Sequence, residues 1–171
     1  GALSPPNSKG KDGALPLHMK KYIIGLLFMV FSFSVSAQEV WHTDLDKASE
    51  ISKKTKKPLL LFFTGSDWCG WCIKLQKEVL HTPEFETWAK ENVVLLELDF
   101  PRRTKLDPKL AQQNSELQQA FKVRGYPTVW IVDLVPGANK INFSALGSTG
   151  YVAGGPTAWL NNANQILANR K

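Results

Sequence analysis

Cysteine is scarce in this sequence. There are two in 171 residues, with two methionines and three histidines. A zinc site needs three or four ligands, and His18, His42 and His81 stand in no paired spacing with Cys69 and Cys72, so no metal is expected. No other cofactor is expected either. Long apolar runs are missing as well. The uncharged stretch Tyr22–Val35 has 14 residues, short of what a helix needs to cross about 30 Å of hydrocarbon. Dense charge of one sign is also lacking. The formal charge is +6, but four of the 21 basic residues and one of the 15 acidic ones precede residue 38, which leaves 17 against 14 and a net +3. No Lys/Arg patch with interleaved aromatics appears, which argues against a nucleic-acid partner. No repeat recurs at solenoid periods. Hydrophobic residues at 43% and charged residues at 21% describe an ordinary globular chain, neither disordered nor polytopic.

The first 37 residues read as targeting sequence rather than fold. Met19-Lys20-Lys21 gives a basic start, Tyr22–Val35 an apolar segment, and Val35-Ser36-Ala37 the small side chains that a signal peptidase reads. No Cys follows the apolar segment, so a lipid anchor is not expected. Residues 1–18 are Gly/Pro/Ser-rich, precede a plausible start Met, and are set aside as a tag or other non-native upstream segment. The expected organisation is therefore 1–18 upstream segment, 19–37 cleaved signal peptide and 38–171 folded domain. Export into the periplasm of a Gram-negative bacterium follows.

Within 38–171, Thr43 and Asp44 are capping residues for a helix whose apolar residues are Leu45, Ala48 and Ile51. The lysines of 53–57 form its charged end, and Pro58 stops it. Leu59–Phe63 is a five-residue apolar run, the pattern of a strand buried on both faces. Thr64–Asp67 is a turn, and Cys69–Leu80 has helical spacing. Thr82 caps a helix with Pro83 at its first position, and Val93–Asp99 is a second central strand. Phe100–Asn114 reads as a long basic connection with a turn of helix after Pro108. Ser115-Glu116-Leu117-Gln118 reads as a capping box opening a short helix through Phe121. Thr128–Asp133 is a β-branched strand, Pro136–Asn139 a hairpin turn, and Ile141–Leu146 the returning strand. A Gly-rich loop then leads to a closing helix over 156–170 with Leu160, Ile166 and Leu167 inward. The sum is an α/β domain, a mixed sheet with helices on both faces.

The two cysteines sit in Trp68-Cys69-Gly70-Trp71-Cys72, between a buried strand and the start of a helix. A thiol at a helix N-terminus faces free backbone N–H groups and the positive end of the dipole, and both favour thiolate. Two intervening residues let the second sulfur reach back to the first. The pattern fits a nucleophilic Cys69 that forms a mixed disulfide and a deeper Cys72 that resolves it. A purely structural disulfide is the competing reading.

The segment WCGWC after LLLFF resembles the active site of the thioredoxin superfamily. Arg124-Gly125-Tyr126-Pro127-Thr128 resembles that family's second signature, a cis-proline ahead of a strand of the central sheet. The likeness runs from Trp41 to Leu167. Lys57-Pro58-Leu59-Leu60 and Thr82-Pro83-Glu84-Phe85 make it most similar to exported thioredoxin-like proteins and to the C-terminal domain of thiol:disulfide interchange proteins. The resemblance implies a thioredoxin fold and thiol–disulfide exchange at Cys69 and Cys72. It also implies a client-binding surface of Trp68, Gly70, Trp71, Tyr126 and Pro127, with Trp68 shielding the site and the Tyr126 backbone pairing with an extended substrate. Protein disulfides are the expected substrates, and a membrane partner is a candidate electron donor.

Two departures stand out. Gly70-Trp71 replaces the usual Gly-Pro, and the strand before the motif holds Leu61-Phe62-Phe63 where the family buries an Asp for proton transfer. Glu97 and Asp67 are the alternative acids. The basic residues Arg102, Arg103 and Lys105 read as solvated, with partner docking as the alternative. Trp41, Trp88, Trp130 and Trp159 read as packing. The leading function is a periplasmic disulfide reductase. Oxidant or isomerase activity and a redox-silent binding module remain alternatives. No dimerisation segment is evident, so a monomer is expected, which disfavours the isomerase. A peroxidase lacks the Thr/Arg-rich pocket it needs beside Cys69.

Overall fold

The computed structural model describes residues 40–137 and 140–171. The upstream and signal segments expected at 1–37 and two residues of the hairpin turn therefore lie outside the described residues. None of the helices described is long and apolar enough to cross a membrane.

Five strands, β1 (Trp41–His42), β2 (Leu59–Thr64), β3 (Val94–Asp99), β4 (Thr128–Val135) and β5 (Asn142–Thr149), form one sheet in the order β1-β3-β2-β4-β5. The β1, β3 and β2 strands run parallel, while β4 is antiparallel to β2 and β5 to β4. Five helices cover it: α1 (Leu45–Thr55), α2 (Gly70–Leu75), α3 (Pro83–Asn92), α4 (Pro108–Ala120) and α5 (Gly155–Leu167). A π-helical segment, Gln76–Leu80, prolongs α2. This is the thioredoxin fold, with helices on both faces of a mixed sheet.

The β2 strand is central because every residue from Leu59 to Phe63 can be buried: each is at most 1% exposed. Side chains alternate across it. Leu60 and Phe62 pack with Leu95, Val129 and Ile131 under α2, α3 and α5, through Leu75, Phe85, Trp88, Trp159 and Ala163. Leu59, Leu61 and Phe63 pack with Leu96, Leu98 and Val132 under Ala48 of α1 and Leu117 of α4. Both cysteines belong to the first of these cores. Each buried Leu or Phe contributes about 1.5–3 kcal/mol relative to exposure.

The caps follow the side-chain chemistry. The Asp44 carboxylate accepts the Lys47 N–H at 2.9 Å, and the Thr82 hydroxyl accepts that of Phe85 at 3.3 Å, with Pro83 opening α3. The connection after β3 differs from the sequence reading. One continuous helix, α4, replaces the loop, isolated turn and short helix expected there. It starts at Pro108 under an Asp107 cap that accepts Lys109 N–H at 2.9 Å, and Ser115 and Gln118 lie inside it rather than boxing a new N-terminus. The closing helix shows a smaller difference. Its fully buried stripe is Trp159, Ala163 and Ile166, while Leu160 and Leu167 pack only partly buried against that core. Finally, β1 is a two-residue edge strand where the sequence showed only the lead-in to a helix.

Candidate active site

The turn leaving β2 delivers the motif. Trp68 and Cys69 donate their N–H groups to the Gly65 carbonyl at 3.3 and 2.9 Å, and Cys69 caps α2. Cys69 and Cys72 are joined in a disulfide with Cα atoms 5.3 Å apart. The Cys72 N–H points at Cys69 Sγ across 3.2 Å. Cys69 is 6% exposed and Cys72 1%. Cys69 is thus the less deeply buried of the two residues.

Aromatic residues wall the site on both sides. Trp68 lies so close over Gly65 that a methyl group there would collide with its indole. Its Nε1 donates to the Phe100 carbonyl at 2.7 Å, and its ring meets Tyr126 edge-on at 5.7 Å. The Tyr126–Pro127 peptide is cis. Gln118 of α4 donates to the Tyr126 hydroxyl at 2.5 Å, and burial holds that phenol above its usual pKa despite the bond. On the other side Trp71 remains 58% exposed while its ring tilts against Tyr151 at 5.1 Å. The loop packing expected as one reading of Trp71 is present, and much of the side chain is left exposed. Lys74 Nζ sits 5.0 Å from both ring centroids and 3.9 Å from Glu78, whose carboxylate accepts the Tyr151 hydroxyl at 2.5 Å and raises its pKa. Gly70 has open space around it, and Ile73 is 50% exposed beside the pair.

Trp68 and Tyr126 thus meet directly, next to the cysteines. Tyr151 and Lys74 were not foreseen, since a tyrosine in a Gly-rich loop 79 positions beyond Cys72 carries no local signal. Arg102, Arg103 and Lys105 are exposed, as a solvated loop would have them, but the loop is tied to the motif. The Asp67 carboxylate accepts the backbone N–H groups of Arg102 and Arg103 at 2.9 and 2.7 Å, and the Arg102 guanidinium lies 3.7 Å from the Trp68 ring centroid.

The two alternative acids now differ. Asp67 is half-buried, and the Arg102 N–H holds its carboxyl below the usual range, so it is a poor proton acceptor for a thiol near neutrality. Glu97 pairs with Phe62 across β2 and β3, so its side chain leaves the sheet on the cysteine face. Burial, seconded by the Asp99 charge, pushes its carboxyl up. Among the described residues, no three His, Cys, Asp or Glu side chains gather to hold a metal.

Comparison with known proteins agrees with this geometry. A thioredoxin-like family model matches residues 40–133. The disulfide bond reductase DsbH of Chlamydia pneumoniae is 36% identical over 124 residues, 72% of this chain and 70% of that protein. A solved DsbH oxidoreductase superposes with a TM-score of 0.69 at 33% identity, over 78% of this chain and 88% of that one. A thioredoxin from Thermus thermophilus, 15% identical, shares the fold with a TM-score of 0.56 over 77% of this chain and 88% of its own. With β2, the Cys69–Cys72 pair, the cis-proline loop and these relatives all in agreement, the chain belongs to the thioredoxin-like family and is a thiol–disulfide oxidoreductase.

Proposed function

We propose that the chain is an exported disulfide reductase, with Cys69 attacking and Cys72 resolving. The observation that carries this is the unequal burial of the two cysteines, 6% against 1% exposed as residues, with the Cys72 N–H aimed at Cys69 Sγ. In the reduced enzyme the Cys69 thiolate attacks a client disulfide. One client sulfur leaves as thiolate and takes a proton, and the other stays bound to Cys69. Cys72, once deprotonated, attacks Cys69 Sγ, expels the second client thiol and regenerates the internal disulfide. The client lies extended along Tyr126–Pro127, against Trp68 and Trp71. The reductive direction is supported by the likeness to a named disulfide bond reductase. Residues 19–37 serve as the export signal of a domain spanning 38–171, and a membrane donor re-reduces the pair. Glu97 takes the Cys72 proton, supported by its place on the cysteine face and its raised carboxyl pKa.

The test is equilibration of the protein in glutathione buffers, read by the fluorescence of Trp68 and Trp71. A potential near or below about −250 mV fits a donor-fed reductase, and one above about −150 mV makes it an oxidant or isomerase. A pair that does not cycle short of harsh reduction leaves a redox-silent binding module.

A further inference from the structure

We propose that Arg102, stacked on Trp68 at the rim of the Cys69 site, selects clients by receiving a carboxylate side chain next to the client's cysteine. The inference rests on the reading of Cys69 as the attacking thiol and names the substrate class that this surface takes: extended peptides with Asp or Glu beside a disulfide.

The loop that carries Arg102 is fastened to the motif at three points. Asp67 Oδ1 and Oδ2 accept the N–H groups of Arg102 and Arg103, and Trp68 Nε1 donates to the Phe100 carbonyl. The guanidinium then lies flat enough on the indole for its carbon to come within 3.7 Å of the ring centroid. Stacking spends one face of the cation and leaves its N–H edges to bind a planar carboxylate in bidentate fashion.

That charge has no anionic partner among the described residues, where the ion pairs are Lys74–Glu78 and Arg170–Asp133. Asp67 has both oxygens committed to backbone N–H groups, and Asp99, the nearest acid in sequence, accepts from the Ser66 N–H and hydroxyl. On the far side of the cysteines, Lys74 is partnered by Glu78 over Trp71 and Tyr151. Of the two cations set over aromatic rings beside the cysteines, Arg102 on the Trp68 side is therefore the one in no ion pair among the described residues. Trp68 leads from Arg102 to Tyr126, which it meets edge-on at 5.7 Å, immediately before the cis-proline where the client strand docks. A client carboxylate there meets the cation while its disulfide meets Cys69.

The test uses pre-reduced full-length protein and two short symmetric disulfide peptides, identical except for Glu or Lys beside the cysteine. Each turnover converts one peptide disulfide into two peptide thiols and the protein dithiol into the Cys69–Cys72 disulfide, so no other oxidant or reductant enters. The wild type should reduce the Glu peptide about threefold faster than the Lys peptide at low salt, with the ratio shrinking as salt rises. Arg102→Gln should bring the ratio near one. Arg103→Gln, which removes the same charge from the same loop without touching the stack, should leave most of it. A general loss of Cys69 reactivity slows both peptides alike and does not move the ratio, so the ratio isolates recognition. An unchanged ratio in Arg102→Gln, or an equal fall in Arg103→Gln, overturns the proposal while the redox reading stands. Failure of the pair to cycle in glutathione overturns both.

Discussion

At the scale of single residues, the chemistry is a matter of which atoms each sulfur can see. Cys69 and Cys72 are three apart on one helical turn, yet only Cys69 caps the helix and receives a backbone N–H. Replacing Cys72 with Ser should leave attack intact and resolution absent, so a client mixed disulfide on Cys69 accumulates and is seen by mass spectrometry. The Cys69→Ser protein should form no such adduct. Glu97 is the residue whose role the sequence left open, because alternation along β3 says which face it shares only once the register against β2 is known. Its carboxyl is raised in the fold, so the sign of its effect on stability is fixed. The contribution is fully present below the unfolded carboxyl pKa and is lost as pH rises through the higher folded value. Glu97→Gln should therefore raise stability near pH 7 relative to the parent, with the gain fading below about pH 4. Denaturant unfolding at the two pH values measures it. The same variant should slow resolution of the mixed disulfide if Glu97 takes the Cys72 proton, and a full-speed resolving step would remove it from that role.

At the scale of elements, the strands with strong composition were legible and the polar helix was not. Leu59–Phe63 can only be a doubly buried strand, and Thr82-Pro83 can only open a helix. By contrast, α4 has the sequence PKLAQQNSELQQA, with Asn114 and Leu117 its fully buried residues. Its apolar periodicity is too weak to read, and Ser115 with Gln118 mimics a start inside it. The real signal was Asp107-Pro108, a cap residue followed by proline at the first helical position. Asp107→Ala should cost about 1 kcal/mol of stability by denaturant unfolding. The helix also carries Gln118 to the Tyr126 hydroxyl and the Asn114 amide to the Asp99 carbonyl at 3.0 Å. Fraying that starts at residue 107 and stays in the first turn would spare client reduction, whereas a rate loss would show that α4 positions Tyr126 as a unit.

At the scale of the whole molecule, one of the two cores and the redox site occupy the same face of the sheet. The cysteines pack into a cluster that continues through Phe85 and Trp88 to Trp159, a tryptophan of 0% exposure. The sequence placed the two tryptophans in the interior by their helical positions, but their geometry with Phe85 depends on α3 and α5 packing on one sheet face. Trp159 meets Phe85 and Trp88 edge-on at 5.6 and 6.2 Å, and its Nε1 donates to the Gly150 carbonyl at 3.0 Å. Gly150 in turn lies against the Pro127 carbonyl, where an added Cβ would sit 3.1 Å from the oxygen, and Tyr151 next to it reaches Trp71. One indole thus packs in the core and also holds the loop whose Tyr151 meets Trp71. Trp159→Ala should cost about 3–5 kcal/mol, the range for emptying a large aromatic from a packed interior. Trp159→Phe keeps most of the apolar volume but leaves the Gly150 carbonyl unpaired, at about 1–3 kcal/mol. If the brace matters to function, the Phe variant, still folded at assay temperature, should reduce peptide disulfides more slowly than the parent at an unchanged Cys69–Cys72 potential. An unchanged rate at reduced stability would confine Trp159 to the core and leave the Gly150–Tyr151 loop held by its own contacts with Trp71 and Glu78.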